Sequence, residues 1–212
     1  MDVFFQIQKE VKKHFFNAKG SHNWNHTERV YNLCIRIGKK EHVDFDVLKY
    51  AAILHDIGRN HQDESNGKIG HAEKGAILAR KLLEKYNLDQ EKIEKIIHCI
   101  ESHRFRGHKI PQSIEAKVLF DADKLDSIGA VGIGRAFLFA GEVGAKLHDK
   151  NVDIEKTKPY NEDDTAYREF KVKLRHIKDR MLTREGKRIA EKRHRFMIDF
   201  FDRLNKEVDG IL

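Results

Sequence analysis

Apolar residues recur along this chain at spacings of three and four far more often than two. Phe4, Ile7, Val11 and Phe15 form one stripe, Trp24, Val30, Leu33 and Ile37 a second, and Ala76, Ile77, Leu82 and Leu83 a third. Such spacing gathers side chains on one face of a helix, whereas a strand needs strict alternation. The pattern predicts an all-α fold with helices near 2–16, 23–39, 44–57, 71–86, 90–102, 113–126, 129–147, 164–182 and 184–208, interrupted by only two prolines. Asp44, Asp89 and Thr183 stand where helices should begin, and a short side-chain oxygen there can accept from the free amides of a first turn. Gly58, just past the apolar run Val47, Leu48, Ala51, Ala52, Ile53 and Leu54, signals a helix C-terminus.

Two polar stretches separate these helices. Residues 58–70, GRNHQDESNGKIG, follow directly on a His-Asp pair, so a loop there would hang over whatever the pair holds. Residues 149–163 carry Pro159 and no periodic apolar face, which reads as a mobile loop or lid. Nothing in the second stretch supports a domain boundary. With 212 residues and 40% hydrophobic content the chain can bury one substantial core. One domain over 1–212 is therefore expected, its functional core at about 20–130 and C-terminal helices 164–208 packed on it.

Composition narrows the class further. Cys34 and Cys99 form no CxxC motif and sit in apolar helical stretches, as reduced core residues of an intracellular protein would. No apolar run approaches the roughly 18 residues of a membrane span, and no basic segment leads into a long apolar one at the N-terminus. A cytoplasmic protein with no membrane partner is expected. The net charge of +7 calls for an anionic partner. The densest basic stretch, with Lys187, Arg188, Lys192, Arg193 and Arg195, has helical spacing and reads first as a solvated helix face. If it binds anything, triphosphate ranks ahead of DNA.

The chemistry concentrates at His55-Asp56 in AAILHDIGR, with His26 in SHNWNHTERV and Asp123 in LFDADKLDSIG. Two imidazoles and two carboxylates suit Mn, Fe, Co, Ni, Zn or Mg with positions left open for water and substrate. Each has rivals. His22 lies four residues before His26 on the same face, and Asp121 and Asp126 flank Asp123, with Asp126 on its face and Asp121 pointing away.

In order, these residues match the signature of the HD-domain metal-dependent phosphohydrolases: a His, a later His-Asp pair and a distant Asp. SHNWNHTERV, AAILHDIGR, HAEKGA, IESHRFR, DADKLDSIGAVGIGRAF and MLTREGKRIAEKRHRFM resemble one branch more closely, the YpgQ/YedJ-like nucleotide pyrophosphohydrolases, over about residues 20 to 205. The resemblance implies a single-domain helical HD fold and a metal site of His26, His55, Asp56 and Asp123, preferring His26 to His22 and Asp123 to its neighbours. It further implies one divalent ion, with manganese the first choice. Some HD proteins hold a second ion through histidines placed much as His71 and His103 are. The branch this chain resembles keeps one ion, and Asp56 has no conspicuous acidic partner for a bridge. His71 and His103 are therefore expected around the substrate phosphates.

An ion held in this way acidifies a water and polarises a phosphoryl oxygen. Arg59, Arg104 and Lys124 are the cations expected to neutralise the transferred group. Asp126 is expected to handle a proton or meet a sugar hydroxyl, so the catalytic set is Asp56, Arg59, Lys124 and Asp126. Glu73, in a first helical turn, reads as structural. The expected reaction is hydrolysis of a (deoxy)nucleoside triphosphate to monophosphate and pyrophosphate. The alternatives are a nucleoside monophosphate phosphatase or phosphodiesterase of the same superfamily, and a non-catalytic nucleotide-binding module, which would have no need of four ligands and a nearby arginine. Alarmone hydrolases fit less well, because Asp63 and Glu64 lie at another offset from the HD pair. A nucleotide is the expected partner, nucleic acid ranks below it, and a homodimer is compatible with the chain.

Overall fold

The computed structural model describes residues 2–16, 23–65, 67–104 and 109–212, so His22 lies outside the described residues. It is all-helical, with no strand among the described residues: α1 (Val3–Lys13), α2 (Trp24–Glu41), α3 (Phe45–Leu54), α4 (Arg59–Glu64), α5 (His71–Lys85), α6 (Gln90–Ser102), α7 (Ile114–Leu125), α8 (Gly129–Glu142), α9 (Ala166–Val172), a 3-10 segment (Leu174–Arg180) and α10 (Arg184–Val208). None of these helices is long and apolar enough to cross a membrane. The chain forms two compact units, Met1–Asp123 and Lys124–Leu212, and the division falls inside α7.

The expected N-caps hold. Asp44 accepts from Asp46 N and Val47 N, Asp89 from Lys92 N, and Thr183 from Gly186 N. In the first unit α3 is buried on every side, from Val47 through Leu54 apart from Lys49, and packs against α1, α2 and α6. Cys34 and Cys99 are buried and unpaired. Burial raises both thiols, Cys99 to about 12, so neither is a nucleophile near neutral pH.

Two sequence expectations give way here. The helix expected over 164–182 divides, because Lys173 at φ −138° and ψ −56° breaks the ladder between α9 and the 3-10 turn. The loop expected over 58–70 contains α4, a six-residue helix that begins immediately after the turn carrying the HD pair. It has no buried residue to create an apolar period.

In the second unit, Phe170 stacks on Phe201 with centroids 4.6 Å apart. The stretch 149–163, read as mobile, is tied down through Arg168. Its guanidinium donates to Asp164 Oδ1 at 2.8 Å, to Thr157 Oγ1 at 2.8 Å and to the Thr157 carbonyl at 3.0 Å. Asp164 Oδ2 in turn accepts from Tyr160 N at 2.8 Å. Both charged groups are buried. Arg168→Ala leaves Asp164 buried without its cation and should cost about 3–5 kcal/mol. Urea denaturation should show that loss, and limited proteolysis should cut between 149 and 163 faster than in the wild type.

Candidate metal centre

His26 enters the site from the first turn of α2, whose N-cap Asn23 accepts from Asn25 N and His26 N. His55 and Asp56 lie just beyond α3, which ends at Leu54, in a tight turn closed by Ile57 N to Leu54 O and Arg59 N to Asp56 O. Asp123 comes from the last turn of α7, His71 opens α5, and His103 caps α6. The structure brings these six together. Asp121 is fully buried on the same helix, whereas Asp123 keeps a partly exposed carboxylate beside His26.

Gly58 makes the convergence of α5 with the HD turn possible. A Cβ there would meet His71 O at 2.4 Å and Gly75 N at 2.5 Å, and a Cβ on Gly75 would come within 3.4 Å of Gly58 N. Its φ of −88° is ordinary, so glycine is required by close backbone approach rather than by a left-handed conformation.

The carboxylate of Asp56 faces two pairs of imidazoles. Oδ2 lies 3.7 Å from His26 Nε2 and 3.9 Å from His55 Nε2, while Oδ1 lies 3.6 Å from His71 Nε2 and 3.8 Å from His103 Nε2. His26 Nε2 is also 3.4 Å from Asp123 Oδ1 and 3.4 Å from His55 Nε2. Most of these are too long for good hydrogen bonds. They match the separation of two atoms each about 2.1 Å from a shared ion at a near-tetrahedral angle, which is about 3.4 Å. Two groups with ligand atoms close enough for an ion result, His26–His55–Asp123 and Asp56–His71–His103.

Ring tautomers sharpen the fit. His55 Nδ1 donates to Ala52 O at 2.8 Å, and His103 Nδ1 to Ile100 O at 2.6 Å. His71 Nδ1 lies 2.8 Å from Gln62 Oε1. Each ring therefore turns a proton-free Nε2 inward, and those of His71 and His103 stand 3.3 Å apart. Two lone pairs at that distance repel unless a cation sits between them. His71 does not supply a proton to the gap near neutral pH, because burial, helped by His103, Arg59 and Arg104, pushes it down to about 3 against the pull of Asp56. Burial likewise holds His55 at about 4. His71 and His103, expected around the phosphates, thus lie against the second oxygen of Asp56.

Two expected cations flank this cluster. Arg59 Nε is buried without a hydrogen-bond partner among the described residues and forms an ion pair with Asp63 Oδ1 at 3.5 Å. Arg104 reaches the start of α5, where a methyl on Gly70 would lie 3.6 Å from its Nη1 and 3.2 Å from Glu73 Oε2. Lys124 and Asp126 belong to the second unit. There Asp126, almost fully buried, binds Arg135 Nη1 through Oδ2 at 2.7 Å, a pairing the sequence did not indicate. Arg193 donates to the carbonyl of Leu125, and Arg188 pairs with Glu185, so the basic stretch of α10 is partly engaged within its own unit. Sequence reasoning missed Gln62 and Gly75. Only the His-Ala-Glu-Lys-Gly spacing hinted at the second.

Residues 23–128 match the HD domain. The chain belongs to the HD-domain family and has the all-helical fold of HD-superfamily hydrolases. It is 34% identical over 211 residues to the Bacillus subtilis (strain 168) protein YpgQ, covering 97% of this chain and 94% of that protein. The crystal structure of B. subtilis YpgQ in complex with ADP superposes with a TM-score of 0.76 at 32% identity, over 99% of this chain and 96% of that one. An HD-superfamily hydrolase from Bacillus thuringiensis superposes with a TM-score of 0.76 at 28% identity, over 97% and 96% of the two chains.

Two outcomes follow. Gly58→Ala should cost about 1–3 kcal/mol as an overpacked contact, and by moving α5 off the HD turn should weaken metal binding, read by denaturation and metal titration. The second concerns pH. An unfolded chain protonates His55 and His71 near their ordinary value of 6.5, while the metal-free folded state resists to about 4 and about 3. The unfolded state therefore takes up more protons as pH falls below about 6.5, and stability present above that value is lost on descent. The melting temperature of chelator-treated protein should be lower at pH 5 than at pH 7.5, and the drop should shrink in His55→Gln.

Proposed function

We propose that this protein is a metal-dependent phosphohydrolase that cleaves (deoxy)nucleoside triphosphates to monophosphate and pyrophosphate. The observation that carries the reading is the buried set of imidazole nitrogens converging on Asp56, with Arg59 and Arg104 beside it. His26, His55, Asp56 and Asp123 would hold a divalent ion, which when bound would supply an acidified water and neutralise phosphoryl charge. The residues do the rest. Imidazole Nδ1–H donors engaged by carbonyl oxygens keep the Nε2 atoms aimed inward. The Nε of Arg59, ion-paired with Asp63 but without a hydrogen bond among the described residues, is suited to a phosphate oxygen, where a charge-assisted bond would strengthen as charge develops. Lys124 and Arg104 are assigned the same kind of role, and Asp126 a proton-handling or sugar-contacting one modulated by Arg135. A nucleotide is the preferred substrate class because YpgQ, alike over nearly the whole chain, crystallises with ADP.

One observation favours a second reading of the metal count: Asp56, His71 and His103 form their own group of converging ligand atoms. Elemental analysis decides it. One equivalent, retained in His71→Ala, supports the single-ion site, and two equivalents falling toward one in that variant support a shared Asp56.

The substrate is tested with a nucleotide panel under Mn, Mg, Co or Ni, separating pyrophosphate from orthophosphate. Pyrophosphate is expected, and orthophosphate alone would overturn the reading. Asp56→Ala should lose metal and turnover while keeping its circular dichroism. Arg59→Ala should lower kcat/KM by about 1–3 kcal/mol in transition-state terms without changing metal content.

A further inference from the structure

His55 and His103 are oriented by their own chain. Each sits at a helix C-terminus, where the carbonyl three residues back is available to accept from Nδ1. His71 has no such resource. It is the first residue of α5, so no helical turn precedes it, and a side chain from another helix supplies the acceptor. That side chain is Gln62 of α4, whose Oε1 lies 2.8 Å from His71 Nδ1 and 3.3 Å from His71 N.

The second contact removes the ambiguity of an amide facing an imidazole. A backbone N–H can only donate, so Gln62 must present oxygen to it. The same oxygen faces Nδ1, which must then carry the ring proton. His71 Nε2 is left with a lone pair directed at Asp56 Oδ1 and His103 Nε2. In the opposite tautomer Nε2–H would point at those atoms, and no cation could be held there by His71.

We propose that Gln62 is the positioning residue that locks His71 in the Nδ1–H tautomer and so makes its Nε2 an electron-pair donor within the site. This rests on the metal-dependent phosphohydrolase reading, and it sharpens that reading. A neutral His71 held in this way cannot donate to a phosphate oxygen; it acts as an acceptor, toward a cation or toward water. Gln62 is itself fixed from behind, its carbonyl accepting from Gly67 N at 2.8 Å and Ser65 Oγ at 3.0 Å.

The test uses the full-length protein labelled with 15N, both Mg-loaded and chelator-treated, with long-range proton–nitrogen correlations reporting which ring nitrogen of His71 is protonated. The wild type should show Nδ1–H. Gln62→Met, which keeps bulk but removes the acceptor, should shift His71 toward Nε2–H and lower kcat about 10–100-fold, the range for losing a partner that orients a ligand histidine, with a smaller change in KM. Gln62→Glu, which still accepts from both N–H groups, should keep the tautomer and most of the rate. An Nε2–H ring in the wild type, or an unchanged tautomer or kcat in Gln62→Met, overturns the proposal. If Gln62→Met fails to fold by circular dichroism, the wild-type and Gln62→Glu spectra decide by the same criterion. The tautomer is read without substrate, so absence of nucleotide hydrolysis would sink the proposed function and leave this assignment standing or falling on its own spectra.

Discussion

The carboxylate of Asp56 lies among four imidazoles, and the first unit is arranged to keep it there. Both of its oxygens face ring nitrogens at 3.6–3.9 Å, longer than good hydrogen bonds and close enough to share a cation. An electron-rich cluster of this kind is unfavourable in a buried place unless something positive completes it. The surrounding structure withstands that cost through well-packed helices and does not relieve it by protonating His55 or His71, which burial keeps neutral. Stability and chemistry therefore pull in opposite directions at this point, as they do where a site is built to receive a ligand.

What holds the cluster open is mostly backbone. The turn after α3 closes through main-chain hydrogen bonds and abuts α5 across Gly58 and Gly75, where neither helix presents a side chain. Main-chain carbonyls also set the rings of His55 and His103. Rigid main-chain scaffolding leaves few adjustable parts, and the adjustable ones are side chains of α4: Arg59, whose buried Nε makes no hydrogen bond among the described residues, and Gln62. A short helix with no apolar period of its own thus carries residues that face the site from outside the metal signature.

The sequence by itself determined most of the helices and pointed to a candidate ligand set. Periodicity is a local property, so α1 to α3, α5 to α8 and α10 follow the stripes to within about five residues, and the caps at Asp44, Asp89 and Thr183 follow from side-chain chemistry at a single position. The order His26, His55-Asp56, Asp123 was legible because a metal needs those residue types, whatever their distance along the chain. Only the tertiary structure decided the rest, since it arises between elements. It brought His71 and His103 onto the second oxygen of Asp56, explained Gly58 by the backbone it touches, and turned a polar stretch into α4. It also tied 149–163 to a buried Arg168. Polar segments owe their order to single hydrogen bonds and close approaches, and these leave no period in a sequence to be read.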